Sequence, residues 1–155
     1  MDENMKLAEA LTIRADLQKR ILQLQERLKS NSKVQEGDKP AEDPQALLKE
    51  LDECTDQLEK LITAINLTNC RTMQDGSTIT ALIAQRDVLA MKNEILRDFL
   101  KSASEKVDRY SKAEIRIDST INVVQMQKTV DENSKKLRET NLKIQELNWT
   151  TNLME

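Results

Sequence analysis

Apolar residues recur three and four positions apart along four stretches of this chain, and Arg or Asn interrupts the rows they form. In the first stretch Ala10, Leu17, Ile21, Leu24 and Leu28 share one helical stripe, with Arg14 inside it. In the third, Leu82, Leu89, Leu96 and Leu100 form the stripe, with Arg86 and Asn93 inside it. Spacing of this kind specifies long amphipathic helices, and polar residues within a stripe specify polar layers in the packed seams. The pattern predicts a mainly α fold: an elongated antiparallel bundle of about four long helices, with a small β-hairpin or short strand at one end. All 155 residues are expected to form one domain. The architecture is constrained in this way while the biochemistry is left open.

Composition supports the same reading. Charged residues make up 33% of the chain and aromatic residues 2%, with only two Gly and two Pro. So few breakers leave room for few turns. With a single Trp, a single Tyr and a single Phe, apolar burial falls to Leu, Ile, Val and Met in thin seams.

The first helix is expected from about Asn4 to Asn31, roughly 40 Å long at 1.5 Å per residue. That matches the diameter of a compact sphere of this chain length, so the expected shape is elongated. Ile13 and Leu22 flank its stripe. Residues 32–43 carry Gly37-Asp38 and Pro40 without periodicity and read as a linker. Asp43-Pro44 reads as an N-cap followed by proline at the first helical position. The second helix then runs to about Leu67, with Leu47, Leu51, Cys54, Leu58, Leu61 and Ile65 in its seam. Gln74-Asp75-Gly76 marks a turn, and residues 69–79 are expected to form a hairpin.

The third helix should start near residues 78–80 and end near Lys106. It carries a second apolar row, Val88, Met91, Ile95 and Phe99, which places it centrally in the bundle or at a subunit contact. Alternation at Glu114-Ile115-Arg116-Ile117-Asp118 suggests a short strand at about 114–119. Asn122 followed by Gln125 resembles a capping box. The fourth helix extends to about Asn148, with Val123, Val130, Leu137, Ile144 and Leu147 in its seam.

Several function classes lose support on residue content. The net charge of −3 comes from 27 acidic and 24 basic residues mixed along the chain, with no basic block, so nucleic acid is not an expected partner. The start, Met1-Asp2-Glu3-Asn4, is acidic and polar, unlike a secretory signal. No window approaches the ~20 apolar residues of a spanning helix. A cytoplasmic protein without stable membrane insertion is the expectation. Cys54 and Cys70 are too few and too far apart for a disulfide framework. There is no histidine, no glycine-rich phosphate loop and no nucleophile elbow. Neither an enzyme nor a cofactor or metal centre is expected.

Arg14 and Arg86 are the most informative polar residues. Each guanidinium either snorkels out of its seam, joins an ion-pair layer that fixes helix register, or binds an anion. Asn93 and Asn133 read as polar seam residues that specify register and oligomer number. Asn66 and Asn69 sit near a helix end, where Asn caps or turns the chain. Arg109 and Tyr110, with Asn148 and Trp149, form a candidate end-cap or surface site, the two aromatics anchoring a loop and the tail.

The segments Met5-Lys6-Leu7-Ala8-Glu9-Ala10-Leu11, Arg14-Ala15-Asp16-Leu17-Gln18-Lys19-Arg20 and Lys33-Val34-Gln35-Glu36-Gly37 occur in this order, followed by Val107-Asp108-Arg109-Tyr110-Ser111 and Ile144-Gln145-Glu146-Leu147-Asn148-Trp149-Thr150-Thr151. Together they resemble the bacterial proteins labelled septicolysin, over nearly the whole chain. The resemblance implies a mostly helical bacterial protein of about this size, and the label implies a pore-forming cytolysin. It supplies no catalytic residues. Three functional expectations follow: a homo-oligomeric interaction or structural module, a membrane-active cytolysin, or a small anion or ligand site at the arginine-containing layers.

Overall fold

The computed structural model describes residues 5–105 and 115–155. It is a mainly α bundle of four helices with a small hairpin. The order is α1 (Leu7–Ser30), α2 (Pro44–Arg71), β1 (Met73–Gln74), β2 (Ser77–Thr78), α3 (Ile79–Ser104) and α4 (Val123–Thr150). The chain divides into two compact units. One comprises the described residues through Ile79 together with Gln145–Glu155, and the other is Thr80–Ile144.

In the first unit α1 and α2 run antiparallel, since Arg20 reaches Glu50 while Arg27 reaches Glu42. Their stripes are buried as the spacing requires: Ala10, Leu17 and Leu24 on α1, and Leu47, Cys54, Leu61, Ala64 and Ile65 on α2. Along the edge of this seam Arg20 Nε donates to Glu50 at 2.8 Å, and Arg27 Nε donates to Glu42 Oε2 at 3.0 Å. The Arg27 guanidinium holds the Glu42 carboxyl below its usual range, against a smaller opposing effect of desolvation. A depressed carboxylate contributes stability that is present above its unfolded pKa and lost as pH falls through the folded value. Glu42→Gln should therefore lower stability slightly at neutral pH, converge with the parent in acid, and so flatten the fall in stability below about pH 4. Urea midpoints measured across that range check this; an acid limb as steep as that of the parent would count against it.

The linker is closed by Asn31. Its Nδ2 donates to Arg27 O at 2.8 Å, and its Oδ1 accepts the Glu42 backbone N–H at 2.9 Å. Asp43 caps α2 through the Gln45 N–H, and Pro44 occupies the first turn. Helix α2 continues past Leu67 to Arg71. The Thr68 hydroxyl bonds back to Ala64 O and also accepts the Met154 N–H at 2.8 Å, so a residue with weak helix propensity is satisfied in full burial.

The hairpin pairs Met73 with Thr78 and Gln74 with Ser77 across a two-residue turn. Asp75 and Gly76 both have positive φ, +49° and +81°, as a tight hairpin turn of this twist demands. Helix α1 begins at Leu7 rather than near Asn4, because the backbone before it pairs with the tail. Leu7 N–H donates to Thr151 O, and Leu153 N–H donates to Met5 O.

In the second unit α3 and α4 pack antiparallel. Asn93 meets Val130 and Ser134, while Leu100 and Ser104 share a groove with Gln127 and Val130. Asn122 caps α4 by accepting the Gln125 N–H at 3.0 Å. The strand expected at 114–119 is corrected: residues 115–119 are irregular. Alternation alone offered no hydrogen-bonding partner there, and Ile115 and Ile117 are exposed.

Candidate interaction surface

Helix α3 is apolar on two sides. One row packs inward: Leu82, Asn93 and Leu100 are buried, and Leu89 and Leu96 are half-buried. The second row faces solvent, with Val88 58% exposed, Met91 58%, Ile95 61% and Phe99 44%. The spacing 88, 91, 95, 99 puts the four side chains on one stripe about 16 Å long. Ordinary surfaces scatter single apolar residues; a contiguous row marks a contact face.

Behind that row lies a polar layer. Asn93 is 1% exposed. Its Nδ2 donates to Val130 O at 3.3 Å and to Ser134 Oγ at 3.1 Å, and Arg97 Nη2 donates to the same Ser134 Oγ at 2.8 Å. The Ser134 hydroxyl in turn donates to Val130 O at 2.9 Å. The Asn93 Oδ1 is buried without a partner. The sequence pattern pairs Asn93 in kind with Asn133, which is half-buried and whose side chain makes no hydrogen bond among the described residues. Ser134, one position later, is the partner. Its signal was its place four residues after Val130, on the edge of the α4 seam.

Neither Arg14 nor Arg86 joins an interhelical ion pair among the described residues. Arg14 is half-buried on α1, while Arg86 Nε lies 2.9 Å from the carboxylate of its sequence neighbour Asp87. The ion pairs that link α1 to α2 are Arg20–Glu50 and Arg27–Glu50, the latter at 3.9 Å, one flank away from the stripe, and Arg27 also pairs with Glu42 in the linker. Arginines seven apart on the edge of a seam were the available signal for them. Asn66 is exposed; Asn69 is half-buried with an unpartnered buried Oδ1, and the Thr72 hydroxyl nearby is likewise unpartnered. Arg109 and Tyr110 lie outside the described residues. Asn148 is half-buried. Trp149 is 64% exposed, which corrects the expectation that it anchors the tail. The backbone bonds to Met5 and Leu7, the Met154–Thr68 bond and the Lys6 Nζ–Asn152 Oδ1 bond at 2.6 Å hold the tail instead.

The grooves are shallow and mixed in sign. One, about 530 Å³, is lined by Asp56, Glu59, Lys60, Thr63, Leu67 and Glu155; another, about 320 Å³, presents Arg97 and Lys101 beside Asp131. Among the described residues no group of three or more acidic or cysteine side chains is placed to hold a metal. No helix among them is long and apolar enough to cross a membrane.

What these features define is a helical-bundle protein with a solvent-facing apolar row on α3. The chain belongs to the DUF6847 family, a family of unknown function, which matches residues 14–153. It is also similar to a functionally unknown conserved protein from Corynebacterium diphtheriae, whose crystal structure shares 38% sequence identity over 97% of this chain and 99% of that one, with a TM-score of 0.85. None of the curated proteins matches.

Proposed function

We propose that this chain is a non-catalytic interaction module whose first partner is a second copy of itself. The observation that carries this reading is the Val88–Met91–Ile95–Phe99 row, which leaves four large apolar side chains in water on a helix whose opposite face is already packed. Burying such a row releases hydration at about 25 cal/mol per Å² of apolar area, and a symmetric contact buries it twice. The pore-forming role implied by the septicolysin resemblance draws no support from any described helix.

Sedimentation velocity across the micromolar range tests the proposal. The expected result is a mass that rises with concentration above the 17.8 kDa of one chain. A 17.8 kDa species at every concentration overturns it.

A further inference from the structure

The groove of about 320 Å³ between α3 and α4 carries opposite charge on its two sides. Buried Leu100 of α3 and buried Val130 of α4 give it an apolar floor. Arg97 and Lys101, four residues apart on α3, line one side, while Gln127 and Asp131 of α4 line the other. Neither cation forms an ion pair among the described residues, and neither does Asp131. Glu94 and Asp98, the acids nearest to the two cations along α3, pair with neither. The partners these groups do have are neutral. Arg97 Nη2 donates to Ser134 Oγ at 2.8 Å, and Asp131 Oδ1 accepts Gln127 Nε2 at 2.9 Å. Those bonds hold the side chains in place and leave their charges uncompensated.

Like charges four residues apart on a helix repel one another. An anionic group lying between Arg97 and Lys101 relieves that repulsion, and a carboxylate matches the planar fork of the arginine. Asp131 on the far side disfavours a ligand that is anionic throughout and favours one with a cationic end. The floor of Leu100 and Val130 suits a short aliphatic stretch between the two ends. The volume is that of a small-molecule site at the lower end of the usual range.

We infer that this groove binds a small zwitterion of the ω-amino acid class: its carboxylate between Arg97 and Lys101, its methylenes over Leu100 and Val130, and its ammonium on Asp131. Arg97 and Lys101 lie on the side of α3 turned away from Ile95 and its apolar row, so this inference and the self-association reading stand or fall separately. An open groove leaves each charge contact partly hydrated, and a ligand this small is held at roughly millimolar strength.

The test reads backbone amide NMR shifts of the full chain titrated with ε-aminohexanoate, hexanoate and hexylamine. Saturation by ε-aminohexanoate is expected at roughly millimolar concentration, with the moving amides clustered around Arg97, Lys101, Gln127 and Asp131. Hexanoate and hexylamine should each bind about fivefold more weakly, the loss of one exposed charge contact. Lys101→Gln should weaken ε-aminohexanoate and hexanoate about fivefold without weakening hexylamine. Asp131→Asn should weaken ε-aminohexanoate and hexylamine to the same extent without weakening hexanoate. Both positions are exposed, and circular dichroism checks that the variants fold. An absence of saturable shifts, or shifts that neither substitution alters, overturns the site. Hexanoate binding as tightly as ε-aminohexanoate overturns the zwitterion.

Discussion

Asn93→Asp is expected to lower the unfolding free energy by about 3 to 5 kcal/mol at neutral pH. The side chain is 1% exposed, and its surroundings are a backbone carbonyl and the hydroxyl of Ser134. The amide nitrogen serves those two acceptors. A carboxylate in its place cannot donate to either, and it brings an uncompensated charge into the seam. The introduced acid would hold its proton well above the ordinary carboxylate pKa in the folded chain. Between the unfolded and folded values the native state binds more protons, so stability falls as pH rises. The variant should accordingly recover toward the parent below about pH 4. Asn93→Leu is the companion substitution. It removes the unpartnered Oδ1 and leaves the Ser134–Val130 and Arg97–Ser134 bonds in place, so its stability should stay within about 1 kcal/mol of the parent. Chemical denaturation at two pH values checks both. A loss below about 1 kcal/mol for Asn93→Asp would mean that Arg97 swings onto the new carboxylate and that the layer is open to water.

The contrast between these two substitutions bears on why an asparagine sits there. Its net energetic contribution is small, because one of its two polar ends is unpaired. Its directional contribution is large: two donors aimed at Val130 and Ser134 fix how far α3 slides along α4. That register sets which residues of α4 lie opposite the buried row of α3.

Periodicity made the helices legible because burial on an α-helix repeats faithfully every three to four residues, and the rows containing Leu24, Ile65, Leu100 and Ile144 are buried as spaced. Caps at Asp43 and Asn122 were legible because a short polar side chain before an apolar row has few other uses. Asp75-Gly76 specified its turn through the positive φ that both residues accept. What escaped was set by contacts distant in sequence. Thr68 and Asn69 are weak helix formers and point to an earlier end of α2 than Arg71, because the bond that satisfies Thr68 comes from Met154. Nothing near Met5 announces pairing with residue 153, so the pattern alone starts α1 too soon. The size of Trp149 suggests an anchor, yet on α4 it lies outside the buried row of Ile144 and Leu147. The second row on α3 was readable as apolar; that it faces water required knowing which side packs against α4.

Ile65→Ala is expected to cost about 2 to 5 kcal/mol, with the high end favoured by the site's rigidity. Ile65 is fully buried, between Leu61 at 4% and Thr68 at 0% exposure on the same face of α2. The alanine leaves a void that backbone movement must fill, and α2 is pinned at both ends of its length: Asp43 caps one end, while Thr68 near the other holds the tail. A helix so held relaxes little, and poor relaxation is what raises the cost of a cavity. Thr68→Val separates this global loss from a local one. It keeps the shape of the side chain and removes only the hydroxyl, leaving the Met154 N–H without its acceptor. The expected cost is about 1 to 3 kcal/mol, with faster amide exchange at Leu153 and Met154. If Ile65→Ala cost less than about 1 kcal/mol, the α2 face would have to be loosely packed, and the row of buried residues from Leu61 to Thr68 could not be the centre of this unit's core.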